Sequence, residues 1–119
     1  MLKNFLLVGL GGAVGSMVRY GVQRIANVPG FPYGTLLVNL CGCFLIGLLW
    51  GLLSRKSMPQ MTGLLLMSGF CGGFTTFSAF TYEGVQMMQD NRLLLLVAYT
   101  SASVIGGLLA TFSGYKLTN

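Results

Sequence analysis

Four apolar runs, each near the roughly 20 residues that a helix needs to cross a bilayer, take up most of this chain. They lie at about residues 4–26, 35–53, 60–88 and 93–115, joined by short polar or Pro- and Gly-rich stretches. Only 8% of the residues are charged, where a soluble domain carries about 25%. Too little charge remains to solvate a folded surface. The 119 residues therefore read as one all-α membrane domain with four transmembrane helices. The net charge of +5 arises from seven Lys and Arg against Glu83 and Asp90. On a soluble protein that balance points to nucleic acid. Here most cations flank the apolar runs, where they anchor helix ends at the membrane interface, and no nucleic-acid partner is expected. The first run follows Lys3 directly and continues past Arg19 without a small-x-small cleavage site, so no removable signal peptide is expected.

The residue inventory also limits the chemistry. There is no His, and no Ser-His or Cys-His pair can form. Acid–base and nucleophilic catalysis lack their usual parts, and no enzyme is expected. Cys41, Cys43 and Cys71 lie inside apolar runs with no C-x-x-C spacing, and they read as small buried hydrophobes.

The third run holds the least ordinary stretch, Gly69-Phe-Cys-Gly-Gly-Phe-Thr-Thr-Phe-Ser-Ala-Phe80. Each glycine costs a helix interior roughly 1 kcal/mol relative to Ala, so this cluster invites a break near residues 72–76. A break at membrane depth frees backbone groups, which only protein or a water-filled path can satisfy. Discontinuous helices of that kind build ion sites. The other reading is close helix packing through small residues. The run is longer than one straight span requires, which fits two half-helices or a strong tilt. Phe77 and Phe80 share one face of the second half, with Glu83 a further three residues on. Such a pair either packs or presents its positive ring edges to an anion.

Polar residues in the other runs each carry two readings. Arg19 falls within the first helix, where it either snorkels to the interface or lines a polar vestibule. Gly11-x-x-x-Gly15 offers a flat face for close helix approach. The cluster from Gly9 to Gly15 has Val14 where G-x-G-x-x-G needs its third glycine, so a nucleotide loop is not supported. Asn27 to Gly34 is a turn-rich joint. Asn39 in the second run needs a partner in hydrocarbon, so it faces protein, either for packing or for a ligand. Tyr99 and Ser103 stand four apart on one face of the fourth run. They make either a polar track or hydroxyls bonded back to their own helix.

Four spans place both termini on one side. Lys3, Arg55, Lys56 and Lys116 then oppose Arg19, Arg24 and Arg92. Four cations against three set almost no orientation under the positive-inside rule. Insertion in both senses, with pairing as an antiparallel dimer, is left open.

Three blocks in order carry a family resemblance: Gly11-Gly-Ala-Val-Gly-Ser-Met-Val-Arg-Tyr20, Thr35-Leu-Leu-Val-Asn-Leu-Cys-Gly42 and the Gly69–Phe80 stretch. With them the chain resembles the small bacterial fluoride channels of the Fluc or CrcB family over nearly its whole length. That resemblance implies a broken third helix and an antiparallel dual-topology homodimer with two pores in the bacterial inner membrane. It implies passive export of fluoride from the cytoplasm, and hence fluoride resistance. Asn39, Phe77, Phe80 and Ser78 match pore positions, and Tyr99 and Ser103 match a polar track. Arg19 matches a vestibule arginine, and Glu83 a carboxylate on the broken helix. Gly72 and Thr75 match positions whose backbone carbonyls, from both subunits, hold a central structural sodium ion. Ala79 departs from the family, which usually has Thr there.

Two rival readings meet the same residues. A small multidrug exporter needs a carboxylate in its first span, and this first span carries Arg19 and none. An assembly subunit of a larger membrane complex would tolerate replacement of Asn39, Phe77 and Phe80 without loss of ion flux.

Overall fold

A computed structural model describes the whole chain, Met1–Asn119. Helix α1 spans Leu2–Ala26, and strands β1 (Asn27–Val28) and β2 (Phe31–Pro32) follow as a small antiparallel hairpin. Helix α2 is Tyr33–Ser54. The third span, Gln60–Gln89, divides into α3 (residues 60–74) and α4 (Phe77–Gln89), and α5 is Leu93–Thr118. All four spans are long and apolar enough to cross a membrane. Large apolar side chains such as Phe5, Leu94, Leu108 and Phe112 lie exposed along them, as expected of helices solvated by lipid. This is a multi-pass membrane protein.

Local chemistry explains the joints. Pro32 stands at the N-terminal boundary of α2 and gives no side-chain cap. The backbone N–H of Thr35 is instead met by Asn27 Oδ1 from the preceding hairpin, at 3.1 Å. The C-terminal ends of α2 and α4 close alike. Lys56 and Asn91 take the left-handed conformation at φ 57°. Ser57 N–H then reaches Leu52 C=O, and Arg92 N–H reaches Met87 C=O. These are Schellman closures without glycine, and Asn tolerates that conformation better than most residues.

Two helix pairs form the body. Along α2 and α5 the backbones nearly touch: a Cβ added at Gly47 would strike the Thr111 carbonyl, and one at Gly114 the Phe44 carbonyl. Close approach lets hydroxyls bond across the pair, Thr111 Oγ1 donating to Cys43 C=O (3.1 Å) and Thr118 Oγ1 to Leu48 C=O (2.8 Å). The second pair is α1 with α3, again glycine against backbone. Most of α3 (Leu64–Cys71) is π-helical, a rare geometry that gathers at functional sites. It leads directly into the break.

The break itself does not fall on the glycines. Helix continues through Gly69, Gly72 and Gly73, and the chain turns extended at Thr75 (φ −89°, ψ 159°) and Thr76 (φ −151°, ψ 119°). Gly69 and Gly73 instead lie against the backbone of α1. Small residues pack the helices, and two threonines carry the interruption.

Candidate functional site

Asn39 is the partner of the break. Its Nδ2 donates to Thr76 C=O at 3.1 Å, and its Oδ1 accepts from Thr76 N–H at 2.8 Å. One side-chain amide thus satisfies both backbone groups of a residue that helix would otherwise have paired. An amide has two N–H protons, so one remains for a further acceptor. Thr76 also starts α4, its Oγ1 accepting from Ala79 N–H at 3.1 Å. Thr76→Val should therefore cost about 1 kcal/mol, the usual loss of an N-cap, read as a lower thermal midpoint of the purified protein.

Diverting these two amides has a consequence for the carbonyls. In unbroken helix, Thr76 N–H would meet Gly72 C=O and Ala79 N–H would meet Thr75 C=O. Here both are spent elsewhere. The carbonyl between them, that of Gly73, accepts from Arg19 Nε at 2.9 Å. Arg19 therefore neither simply snorkels nor stands free: it ties α1 to the C-terminal end of α3, where the helix dipole favours a cation.

A cavity of about 370 Å³ opens at the break, and Asn39, Gly72, Thr75, Phe77, Phe80 and Ser103 all line it. Phe77 and Phe80 stand with ring centroids 5.8 Å apart, and Phe77 is 77% exposed on the single chain. Ser103 Oγ is buried without any hydrogen-bond partner. An orphaned hydroxyl costs roughly 1–3 kcal/mol, and its position in a cavity wall leaves it available to a ligand. Ser78 is exposed, with its Oγ 3.3 Å from Thr76 Oγ1. Neither Ser78 nor Arg19 is part of the cavity lining.

Behind Phe80 lies a second polar cluster. The Tyr99 ring is 5.1 Å from that of Phe80, and its hydroxyl donates to Glu83 Oε1 at 2.9 Å. Thr35 Oγ1 donates to Glu83 Oε2 at 2.7 Å, and Asn27 Nδ2 reaches the same oxygen at 3.3 Å. Gln23 Nε2 donates to Thr35 Oγ1 at 3.0 Å. Glu83 was singled out from sequence; Gln23, Asn27 and Thr35 were not. The available signal was two amides at i and i+4 closing an apolar helix, followed by a hydroxyl eight residues on.

Fold and cavity together define a small multi-pass membrane protein with a largely apolar pocket, edged by a few polar groups, beside a broken helix. The CrcB-like protein family (Camphor Resistance, CrcB) matches residues 6–115. A relative from Chlorobium phaeobacteroides, named Fluoride-specific ion channel FluC, is 44% identical over 116 residues, covering 95% of this chain and 90% of that protein. Proteins of the same name from Leptospira interrogans and Chlorobaculum tepidum are each 46% identical. The first covers 94% of this chain and 91% of its own length, the second 98% and 95%. The chain belongs to the CrcB/FluC family. Its relatives carry the name of an ion channel, not of an enzyme.

Proposed function

We propose that this chain forms a fluoride-selective channel that lets fluoride leave the bacterial cytoplasm passively, as an antiparallel dual-topology homodimer with two pores. The carrying observation is near full-length identity of 44–46% to proteins named as fluoride-specific channels. The cavity supports it chemically. Fluoride is small and strongly hydrated, so a pathway must replace its water with donors or positive edges. Asn39 keeps one N–H free, Ser103 has an unpaired hydroxyl, and the rims of Phe77 and Phe80 are weakly positive. The exposed Ser78 hydroxyl adds a donor at the break, and Tyr99 backs the Phe80 ring. Edges and neutral donors hold an anion less tightly than a buried cation would, which allows it to leave. Phe77 is 77% exposed on one chain, which favours a second copy completing each pore.

The family implies a structural sodium ion at the dimer centre, and the residues fit one. Released carbonyls at the C-terminal end of a half-helix are the donors that sodium takes in broken-helix proteins. Gly72 and Thr75 would supply them from each subunit. Bound there, the ion adds fixed positive charge near the pores and joins the subunits. Gly73 C=O, already paired with Arg19, is not among the ligands.

The test is fluoride efflux from liposomes carrying the purified protein, measured beside chloride, with Phe80→Ile as companion. Fast, fluoride-selective efflux that Phe80→Ile slows by about tenfold or more supports the channel and the ring-edge role, since losing a contact of ~1.4 kcal/mol is one decade in rate. Undiminished efflux in the variant removes Phe80 from the mechanism. No efflux from folded parent protein sinks the channel and favours an assembly subunit.

A further inference from the structure

Glu83 sits where α2, α4, α5 and the hairpin meet, ringed by groups able to donate to it. Thr35 hydroxyl and Asn27 amide converge on Oε2, and Tyr99 hydroxyl on Oε1. The donors cannot easily reverse. Asn27 holds Thr35 N–H with its Oδ1, so its amide cannot turn around without stranding a backbone group. Thr35 Oγ1 receives Gln23 Nε2 at 3.0 Å and Asn27 Nδ2 at 3.4 Å, which leaves its own proton for the carboxylate. Thr35 and Tyr99 are fully buried. With the Tyr99 hydroxyl donating to Oε1, three donors meet two oxygens, the pattern of an ionised carboxylate.

A bare carboxylate beside an anion pathway would repel the anion. We infer that Gln23 and Asn27 are positioning residues of the channel: they hold Glu83 ionised, with its charge turned onto fixed donors and the Tyr99 hydroxyl locked to it. Gln23 acts through Thr35, and Asn27 acts directly. Around the carboxylate, α1 and the hairpin present amides, α2 a hydroxyl, and α5 presents Tyr99. Asp90, Arg92 and Tyr82 share with Glu83 an outer cavity of about 360 Å³.

Asn27→Asp separates this role from a structural one. It keeps an oxygen for Thr35 N–H, so an Asn27 that only holds that backbone group tolerates it. It also replaces the donor to Glu83 with a second carboxylate. Two carboxylates in contact share a proton, so efflux should fall about tenfold at the upper end of the pH range tested and recover severalfold at its lower end. Parent efflux, corrected for protein-free vesicles, should stay within about twofold over that range, as no group then changes charge in the pathway. The efflux arm rests on the channel reading, whereas a second arm does not. Glu83 and Asp90 are the only side-chain carboxyls, so infrared spectra resolve them cleanly. The protonated-carboxyl stretch should be absent from the parent over the range and present in Asn27→Asp near its lower end.

Parental efflux and a flat profile in folded Asn27→Asp overturn the inference. So does a protonated-carboxyl band in the parent that Glu83→Gln removes. Should Asn27→Asp not fold, Gln23→Glu decides, because it offers the Thr35 proton a competing carboxylate. Slowed efflux with a new protonated-carboxyl band supports the inference there, and parental behaviour overturns it. A parent that passes no fluoride sinks the channel reading, while the infrared result still decides the state of Glu83.

Discussion

Asn39→Ala should reduce fluoride efflux by about a hundredfold while the four spans still insert. The variant removes both hydrogen bonds to the Thr76 backbone, the donation at 3.1 Å and the acceptance at 2.8 Å. Each orphaned buried group costs roughly 1–3 kcal/mol, and water in the cavity recovers part of that. A remainder of ~3 kcal/mol corresponds to about two decades in rate. The loss is larger than that from a single ring edge, because Asn39 also supplies a free N–H to the cavity. Asn39→Asp is the informative companion. It preserves size and the acceptor for Thr76 N–H, but it loses the donor and adds a negative charge. It should pass fluoride no better than Asn39→Ala. Efflux at the parental rate from either variant, in folded protein, would remove Asn39 from both the break and the pathway.

How much of this was legible in the sequence depends on the range of the interaction. Spans are legible because apolar length is a local property, and the observed helices at Leu2–Ala26 and Tyr33–Ser54 differ from the sequence reading by a residue or two. The place of the break was only half legible. The glycine cluster marked the region, but glycine only weakens helix. Where α3 ends, a side chain 37 residues earlier, Asn39, pairs the Thr76 N–H and C=O in place of the helix. Nothing in a one-dimensional pattern reports such a pair. Arg19 is similar, since its two sequence readings omitted a carbonyl 54 residues away. The cluster around Glu83 was least legible. It draws single polar residues from α1, the hairpin, α2 and α5, each unremarkable alone and meaningful only once packed together. Ser103 carried its signal more openly, as a hydroxyl at helical spacing from Tyr99, although only packing leaves it without a partner.

The glycines of α1 should show the sharpest contrast in stability. A Cβ at Gly15 would lie on the Phe70 carbonyl and 2.9 Å from Phe74 N, and one at Gly11 would lie 2.8 Å from Phe70 N. These neighbours are backbone, so no rotamer change relieves the clash. Overpacking of a tight interface costs about 1–3 kcal/mol, and Gly15→Val should reach the upper end because α3 is pinned to α1 at Gly73 as well. Gly9 and Gly21 sit on the same helix with nothing within 4 Å of an added Cβ. Gly9→Ala and Gly21→Ala should therefore be neutral, or stabilising by up to ~1 kcal/mol through helix propensity alone. Thermal unfolding of the purified protein reads both sets. A parental midpoint for Gly15→Val would show that α1 and α3 do not meet in backbone contact. Efflux should suffer more than stability in a Gly15→Ala variant that still folds. Arg19 lies one helical turn beyond Gly15 and donates to Gly73 C=O, so pushing α1 outward withdraws that donor from the end of α3. The small-residue face and the broken helix are in this sense one device: close approach by glycine brings the arginine to the carbonyl beside the break.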